Sequence, residues 1–232
     1  MRPLTMNSSS SAAASESSAA GNGLRSRLKL ETHQLHRQAE RSGVMQMLLQ
    51  GRADRGAYCA LLRNLYEIYA ALEDGLEMHF DHPQVRPIVF RALFRVGHLE
   101  SDLRVLCGSD WSNGAAVRPA AIAYRERLNQ LASARPELLV AHAYVRYLCD
   151  LSGGQILHRL IAEQFRLGDD ATRFYQFGAA ADVDLLLAHF RNGLDAIPVT
   201  QADEDAIVSE AQEAFRRHVE IFQELASRPA AS

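Results

Sequence analysis

From Leu24 onward apolar residues recur every three or four positions, and no stretch alternates convincingly with period two. Leu24, Leu28, Leu35 and Ala39 trace one side of a first helix ending near Ser42-Gly43, and a short helix follows from Val44 to about Leu49. Asp54 is suited to cap a long helix that runs to about Phe80 and stops at Asp81-His82-Pro83. Its apolar positions, from Tyr58 through Leu65 and Tyr69 to Leu76, keep helical spacing. Further helices are predicted over 91–106, 120–132, 185–194 and 204–226, with Cys107-Gly108-Ser109-Asp110 as a turn and Pro198 and Asp203 as loop and cap before the last. Between them lies another long helix, about Glu137 to Phe165, with Pro136 in its first turn. The fold class is all-α, a bundle with one domain over residues 24–228. Residues 1–23 are rich in Ser, Ala and Gly and cannot offset their ordering entropy by burial, so they are expected to be a disordered extension. They lack the basic start and apolar core of a secretory signal.

Composition narrows the function classes. A net charge of -3 offers no global basic field for nucleic acid. No apolar run approaches the roughly 18 residues that would suggest a membrane span. Cys59, Cys107 and Cys149 are far apart in sequence without CxxC spacing, which argues against a disulfide framework or a zinc site and for a reducing cytoplasm. Lys29 is the only lysine in the chain, which makes it easy to test.

The run Arg146-Tyr147-Leu148-Cys149-Asp150-Leu151-Ser152-Gly153-Gly154-Gln155 interrupts the longest apolar pattern. Adjacent glycines inside a helix cost about 1 kcal/mol each relative to alanine. They imply a kink or a flat object pressed on the backbone, here one turn beyond the acid Asp150. Such a helix suits the lid of a planar cofactor. On the first helix, His36 has small Ala39 beside it and Glu40 at i+4, where the carboxylate can take a hydrogen bond from one ring nitrogen and leave the other for a metal. A half-buried histidine with a helical partner explains the same spacing. His33 and His36 also form an HxxH pair. His142, His158, His189 and His218 are scattered helical histidines with structural or exposed roles, and Trp111 is expected to anchor a loop.

Taken together, Leu35-His36-Arg37-Gln38-Ala39-Glu40, Tyr66-Glu67-Ile68-Tyr69-Ala70-Ala71-Leu72-Glu73, the Pro136–Tyr144 approach, Asp150-Leu151-Ser152-Gly153-Gly154-Gln155 and the closing Ile221-Phe222-Gln223-Glu224-Leu225 resemble the haem oxygenase family in order and spacing. The resemblance covers nearly all of the chain after residue 24. It implies a single helical bundle with haem between the first helix and a kinked distal helix. It makes His36 the axial iron ligand and Glu40 its hydrogen-bond partner. Gly153 and Gly154 would let the distal backbone approach the porphyrin. Asp150, supported by Tyr69 and Arg146, would anchor a water network near bound oxygen, and Lys29 and Tyr144 would contact the propionates. The implied reaction opens haem b, both cofactor and substrate, to biliverdin with release of CO and ferrous iron. It uses O2 and electrons from an external ferredoxin or reductase, since the chain has no dinucleotide or flavin motif. A bilin-accepting photoreceptor or a bilin reductase is an implied downstream partner. Arg216-Arg217 is either a solvated face or part of a docking patch for an acidic ferredoxin-like donor.

Two positions depart from the family pattern. Cys149 stands where the family has a glycine; its side chain either enters the distal pocket or turns into the bundle as buried thiols commonly do. At the 185–194 helix, Asp184 and Ala188 occupy positions where the family places a cation, so one propionate clamp is expected to be either missing or relocated to Arg191, with His33 in partial support. Because propionate anchoring sets ring rotation, IX-alpha cleavage is the first expectation. A haem-binding or transfer protein of the same fold is the alternative, favoured by Cys149 and opposed by Asp150. A di-iron bundle needs Glu-x-x-His motifs, which are absent, and a thiaminase would have only Cys149 beside Asp150. An interaction module without chemistry leaves the glycines beside a buried acid unexplained.

Overall fold

The computed structural model describes residues 23–227, so the expectation for residues 1–23 falls, Gly23 aside, outside the described residues. Nine α-helices and no strand occur among the described residues. They are α1 (Leu24–Glu40), α2 (Gly43–Leu49), α3 (Arg55–Met78), α4 (Val96–Cys107), α5 (Trp111–Gly114), α6 (Pro119–Ala134), α7 (Leu139–Phe165), α8 (Ala180–Asp195) and α9 (Gln201–Ala226). The all-α expectation holds.

Capping explains several boundaries. The Asp54 carboxylate accepts from the Ala57 N–H at 2.7 Å and starts α3 as expected. The last helix begins earlier than Asp203: Thr200 is its N-cap, and Asp203 closes a reciprocal capping box by accepting from the Thr200 N–H at 2.9 Å. The helix expected over 91–106 is divided. Arg91–Leu93 forms a short 3-10 turn, and α4 starts at Val96, where Glu73 of α3 accepts from the backbone N–H groups of Arg95 and Val96. A side chain more than twenty residues away supplies this cap, so the local pattern could not place the boundary. Trp111 opens the short helix α5 rather than a loop, with its ring edge-on to Tyr66 at 4.9 Å.

The axis of the bundle is α9. It packs against α1, α2 and α7, while α3 packs against α4 and α6. Ile207, Ala211, Ala214, Phe215, Ile221 and Phe222 bury the inner stripe of α9. Gly43 fixes α2 against it: φ is +45°, and a Cβ there would lie 1.8 Å from the Phe222 carbonyl oxygen. In contrast, α1 lies along α9 and meets α7 mainly through Thr32, whose Oγ1 is 3.5 Å from the Tyr144 hydroxyl. The first and distal helices are therefore neighbours that do not interlock along their lengths.

Candidate active site

Tyr69 on α3 and Arg146 and Asp150 on α7 meet in the interior, each less than a tenth exposed. Arg146 and Asp150 are one turn apart, so both side chains leave the same face of α7. The Arg146 Nε donates to the Tyr69 hydroxyl at 2.9 Å, and its Nη2 donates to Asp150 Oδ1 at 2.9 Å. The Tyr69 hydroxyl in turn donates to the other Asp150 oxygen. Burial pushes the Asp150 carboxyl above its ordinary range, against the opposing pull of Arg146 and Tyr69. Burial works against the Arg146 charge too, but Asp150 and Tyr69 outweigh it and keep the guanidinium protonated. This is an acid with raised proton affinity, oriented by two fixed donors.

The glycines of α7 part company. The helix continues unbroken through both. A Cβ on Gly153 would meet nothing within 4 Å, so bare backbone faces open space there. A Cβ on Gly154 would lie 3.3 Å from Tyr175 Cδ1, which makes Gly154 a close-packing site against the segment 173–175 rather than an open wall. Gly154 thus has as its neighbour an aromatic ring from twenty-one residues further along the chain, while Gly153 faces open space.

His36 is 41% exposed at the side chain and rests edge-on against Phe215 of α9, with ring centroids 5.8 Å apart. Its Nδ1 lies 3.8 Å from Glu40 Oε1, an ion-pair distance but too long for a hydrogen bond. The expected hydrogen bond is thus not formed, and both side chains are partly solvated. Tyr144 is buried, with its hydroxyl turned to Thr32.

Cys149 is half-buried and packs on the edge of the core, while its thiol remains within electrostatic range of Glu40 on α1. Burial pushes the thiol up to about 12, so it is not a thiolate at neutral pH.

The propionate candidates do not converge. Lys29 and His33 are exposed and border a groove of about 740 Å³ between α1 and α9, with Gln212 and Arg216 opposite. Arg191 borders a different cleft, about 460 Å³, between α7 and α8, together with Ser152, Gln155 and Asp184. Arg216 and Arg217 both pair with Glu213, which neutralises part of that patch.

Behind the triad lies a second polar array. The Tyr124 hydroxyl is 2.9 Å from His142 Nδ1, His142 Nε2 is 3.1 Å from Glu210 Oε1, and Arg127 donates to both Glu210 oxygens. Burial would raise the Glu210 carboxyl, but His142 and Arg127 overcome it and pull it down to about 2. An ionised Glu210 can only accept, so His142 carries its proton on Nε2 and takes the Tyr124 hydrogen on Nδ1. Burial lowers His142 and keeps it neutral. His218 is buried beside Tyr124, ring centroids 5.1 Å apart, with Nδ1 on the Ala214 carbonyl. The partners come from α6, α7 and α9, so no local spacing signalled them.

The helices form an all-α bundle around a buried polar triad, and the chain is similar over most of its length to proteins of one family. The sequence model described as "Heme oxygenase" matches residues 22–224. The chain is 38% identical to heme oxygenase 1 of Nostoc sp. over 203 residues, 87% of this chain and 85% of that one. A crystal structure of heme oxygenase-1 from the cyanobacterium Synechocystis sp. in complex with heme superposes with a TM-score of 0.82 at 38% identity, covering 88% of this chain and 92% of the other. The Synechocystis sp. heme oxygenase-2 structure, in complex with heme and NO, gives 0.84 at 35% identity, with 88% and 85% covered. The chain belongs to the haem oxygenase family. None of its described helices is long and apolar enough to cross a membrane.

Proposed function

We infer that this protein is a haem oxygenase, which binds haem and opens its porphyrin ring to biliverdin with release of CO and ferrous iron. The observation that carries the inference is the buried Tyr69–Arg146–Asp150 triad one turn from the bare backbone of Gly153. A storage or transfer protein has no use for a distal acid held by two donors, which weighs against the transfer alternative.

The residues present fit haem. His36 has a half-exposed ring, an aromatic neighbour that orients it and no hydrogen-bond partner that consumes it. Gly153 leaves an open wall on the distal side. When bound, haem supplies the iron at which O2 is activated and the ring that is cleaved. In this reading His36 would hold the haem iron through its imidazole, which donates less charge than a thiolate. Asp150 holds and releases a proton through an oriented water, since its oxygens are already engaged by Tyr69 and Arg146. Arg146 keeps Asp150 in one rotamer and balances its charge. Lys29, Tyr144 and Arg191 are the propionate contacts in this reading. Arg191 shares its cleft with Asp184, an acid that opposes a carboxylate there and weakens that clamp.

The electron donor is external, a ferredoxin or reductase, because the chain carries no dinucleotide fingerprint. A reducing cytoplasm accords with its sparse cysteines, and a bilin reductase or a bilin-accepting photoreceptor is the downstream partner of a biliverdin source. Adding haemin, a reductant and O2 to the purified chain tests this reading. The expected result is loss of haem absorption with appearance of biliverdin, IX-alpha by chromatography of the extracted isomers. Haemin that binds but survives many reductant equivalents would favour the transfer alternative.

A further inference from the structure

Cys59 and Cys107 are separated by nearly fifty residues and lie on α3 and α4, which pack against each other. The helices α3 and α4 run antiparallel: Glu73 of α3 meets the start of α4 at Arg95 and Val96, and Tyr66, one heptad earlier, donates to Glu100 at 3.1 Å. One more heptad back along α3 is Cys59, and the matching heptad forward along α4 is Cys107. Seven residues are close to two turns, so both cysteines return to the faces that hold Tyr66 and Glu100. That register sets Cys59 and Cys107 on facing turns of the packed helices α3 and α4. Their exposures differ: Cys107, the last residue of α4, is exposed, and Cys59 is half-buried.

We propose that Cys59 and Cys107 are a modification site, a thiol pair that peroxide converts reversibly to an intrachain disulfide. The exposed Cys107 reacts first. Its thiolate sulfur attacks one oxygen of hydrogen peroxide, the O–O bond breaks, and Cys107 becomes a sulfenic acid as hydroxide leaves and is protonated to water. The Cys59 sulfur then attacks the Cys107 sulfur and the S–O bond breaks. The departing hydroxide takes the Cys59 proton and leaves as a second water. Two thiols are oxidised to one disulfide, and both peroxide oxygens are reduced. Burial and the neighbouring sulfur push the Cys59 thiol up to about 12, so at rest it stays protonated and is the resolving partner rather than the first nucleophile.

The bridge joins the end of α4 to the start of α3. On α4, Asp102 accepts from the backbone N–H groups of Arg173 and Phe174 at 2.9 and 2.8 Å, and the adjacent Tyr175 backs Gly154 of the distal helix. The pair thus lies on a helix that holds the outer support of the distal helix. Cys149, in contact with neither thiol, takes no part.

The test treats the full chain, without haem, with a slight excess of hydrogen peroxide. The expected result is a fall from three titratable thiols to one, a mass lower by two hydrogens, and a cross-linked peptide joining Cys59 to Cys107 on non-reducing digestion. Dithiothreitol restores the starting mass. Cys107→Ser, a substitution at an exposed position, abolishes the cross-link, and Cys149→Ser keeps it. Accumulation of Cys107 sulfinic acid without a cross-link, a bridge between two chains, or a bridge to Cys149 would each overturn the assignment.

Discussion

Replacing Gly153 with alanine separates the needs of the fold from those of the site. A Cβ at this position meets nothing within 4 Å, so the protein without haem accommodates the methyl freely. Alanine is favoured over glycine inside a helix by about 1 kcal/mol. In a domain of this size that corresponds to a rise of roughly 2–4 °C in Tm. Haem uptake moves the other way. The methyl projects into the space assigned to the ring, and a displacement of ~1 Å forfeits up to about half the dispersion attraction on the face that loses contact. A loss of about 1.4 kcal/mol is tenfold in affinity, and at least that weakening is expected. Thermal unfolding of the haem-free protein and an absorbance titration with haemin measure the two effects on one sample. Gly154→Ala is the control, since its methyl would press on Tyr175 at 3.3 Å instead of the cleft and bring no gain in Tm. A Gly153→Ala protein that is more stable and binds haemin as tightly as the parent would refute the placement of the ring against this wall.

Three further outcomes follow from the site and its surroundings. His36→Ala is expected to abolish imidazole ligation, read as a changed haem absorption spectrum; an unaltered spectrum rejects His36 as the ligand. Asp150→Asn preserves volume and is expected to keep haem uptake within a few-fold while ring opening falls at least a hundredfold, the ordinary reach of a positioned proton donor; biliverdin formation at the parent rate removes Asp150 from the chemistry. Glu210 has a carboxyl lowered from 4.5 to about 2, so its stabilisation is present above the ordinary carboxylate range and disappears as pH falls toward 2. With screening by water this is on the order of 2 kcal/mol. Glu210→Gln should lose about that amount at neutral pH and show a flatter acid dependence between pH 5 and 2, checked by denaturant titration at each pH.

Helix positions were largely legible because burial along a helix repeats every three to four residues, a local signal. Asp54 could be placed for the same reason, since a cap bonds within three residues of itself, whereas the last cap is Thr200 and not Asp203, which closes the box from inside the helix. The α4 boundary was not legible, because Glu73 caps it from another helix. The site divides along similar lines. Asp150 stood out beside the two glycines, while Arg146 and Tyr69 entered through the family resemblance. Spacing could not distinguish the two glycines, because the difference lies in Tyr175, which packs on one and leaves the other open. It suggested a His36–Glu40 hydrogen bond that solvent leaves at 3.8 Å.

The chain by itself determined that this is a helical protein with an imidazole on its opening helix, an acid and two glycines on its longest one, and a motif order shared with one family. Only the tertiary structure decided which groups meet. The Tyr124–His142–Glu210–Arg127 array and the Cys59–Cys107 pair draw on helices distant in sequence, as does the separation of Lys29 from Arg191. The physical reason is range. Periodicity and capping act within a turn or two of the backbone, whereas proton affinity, hydrogen-bond partnership and thiol reactivity depend on whatever the packing brings within a few ångströms.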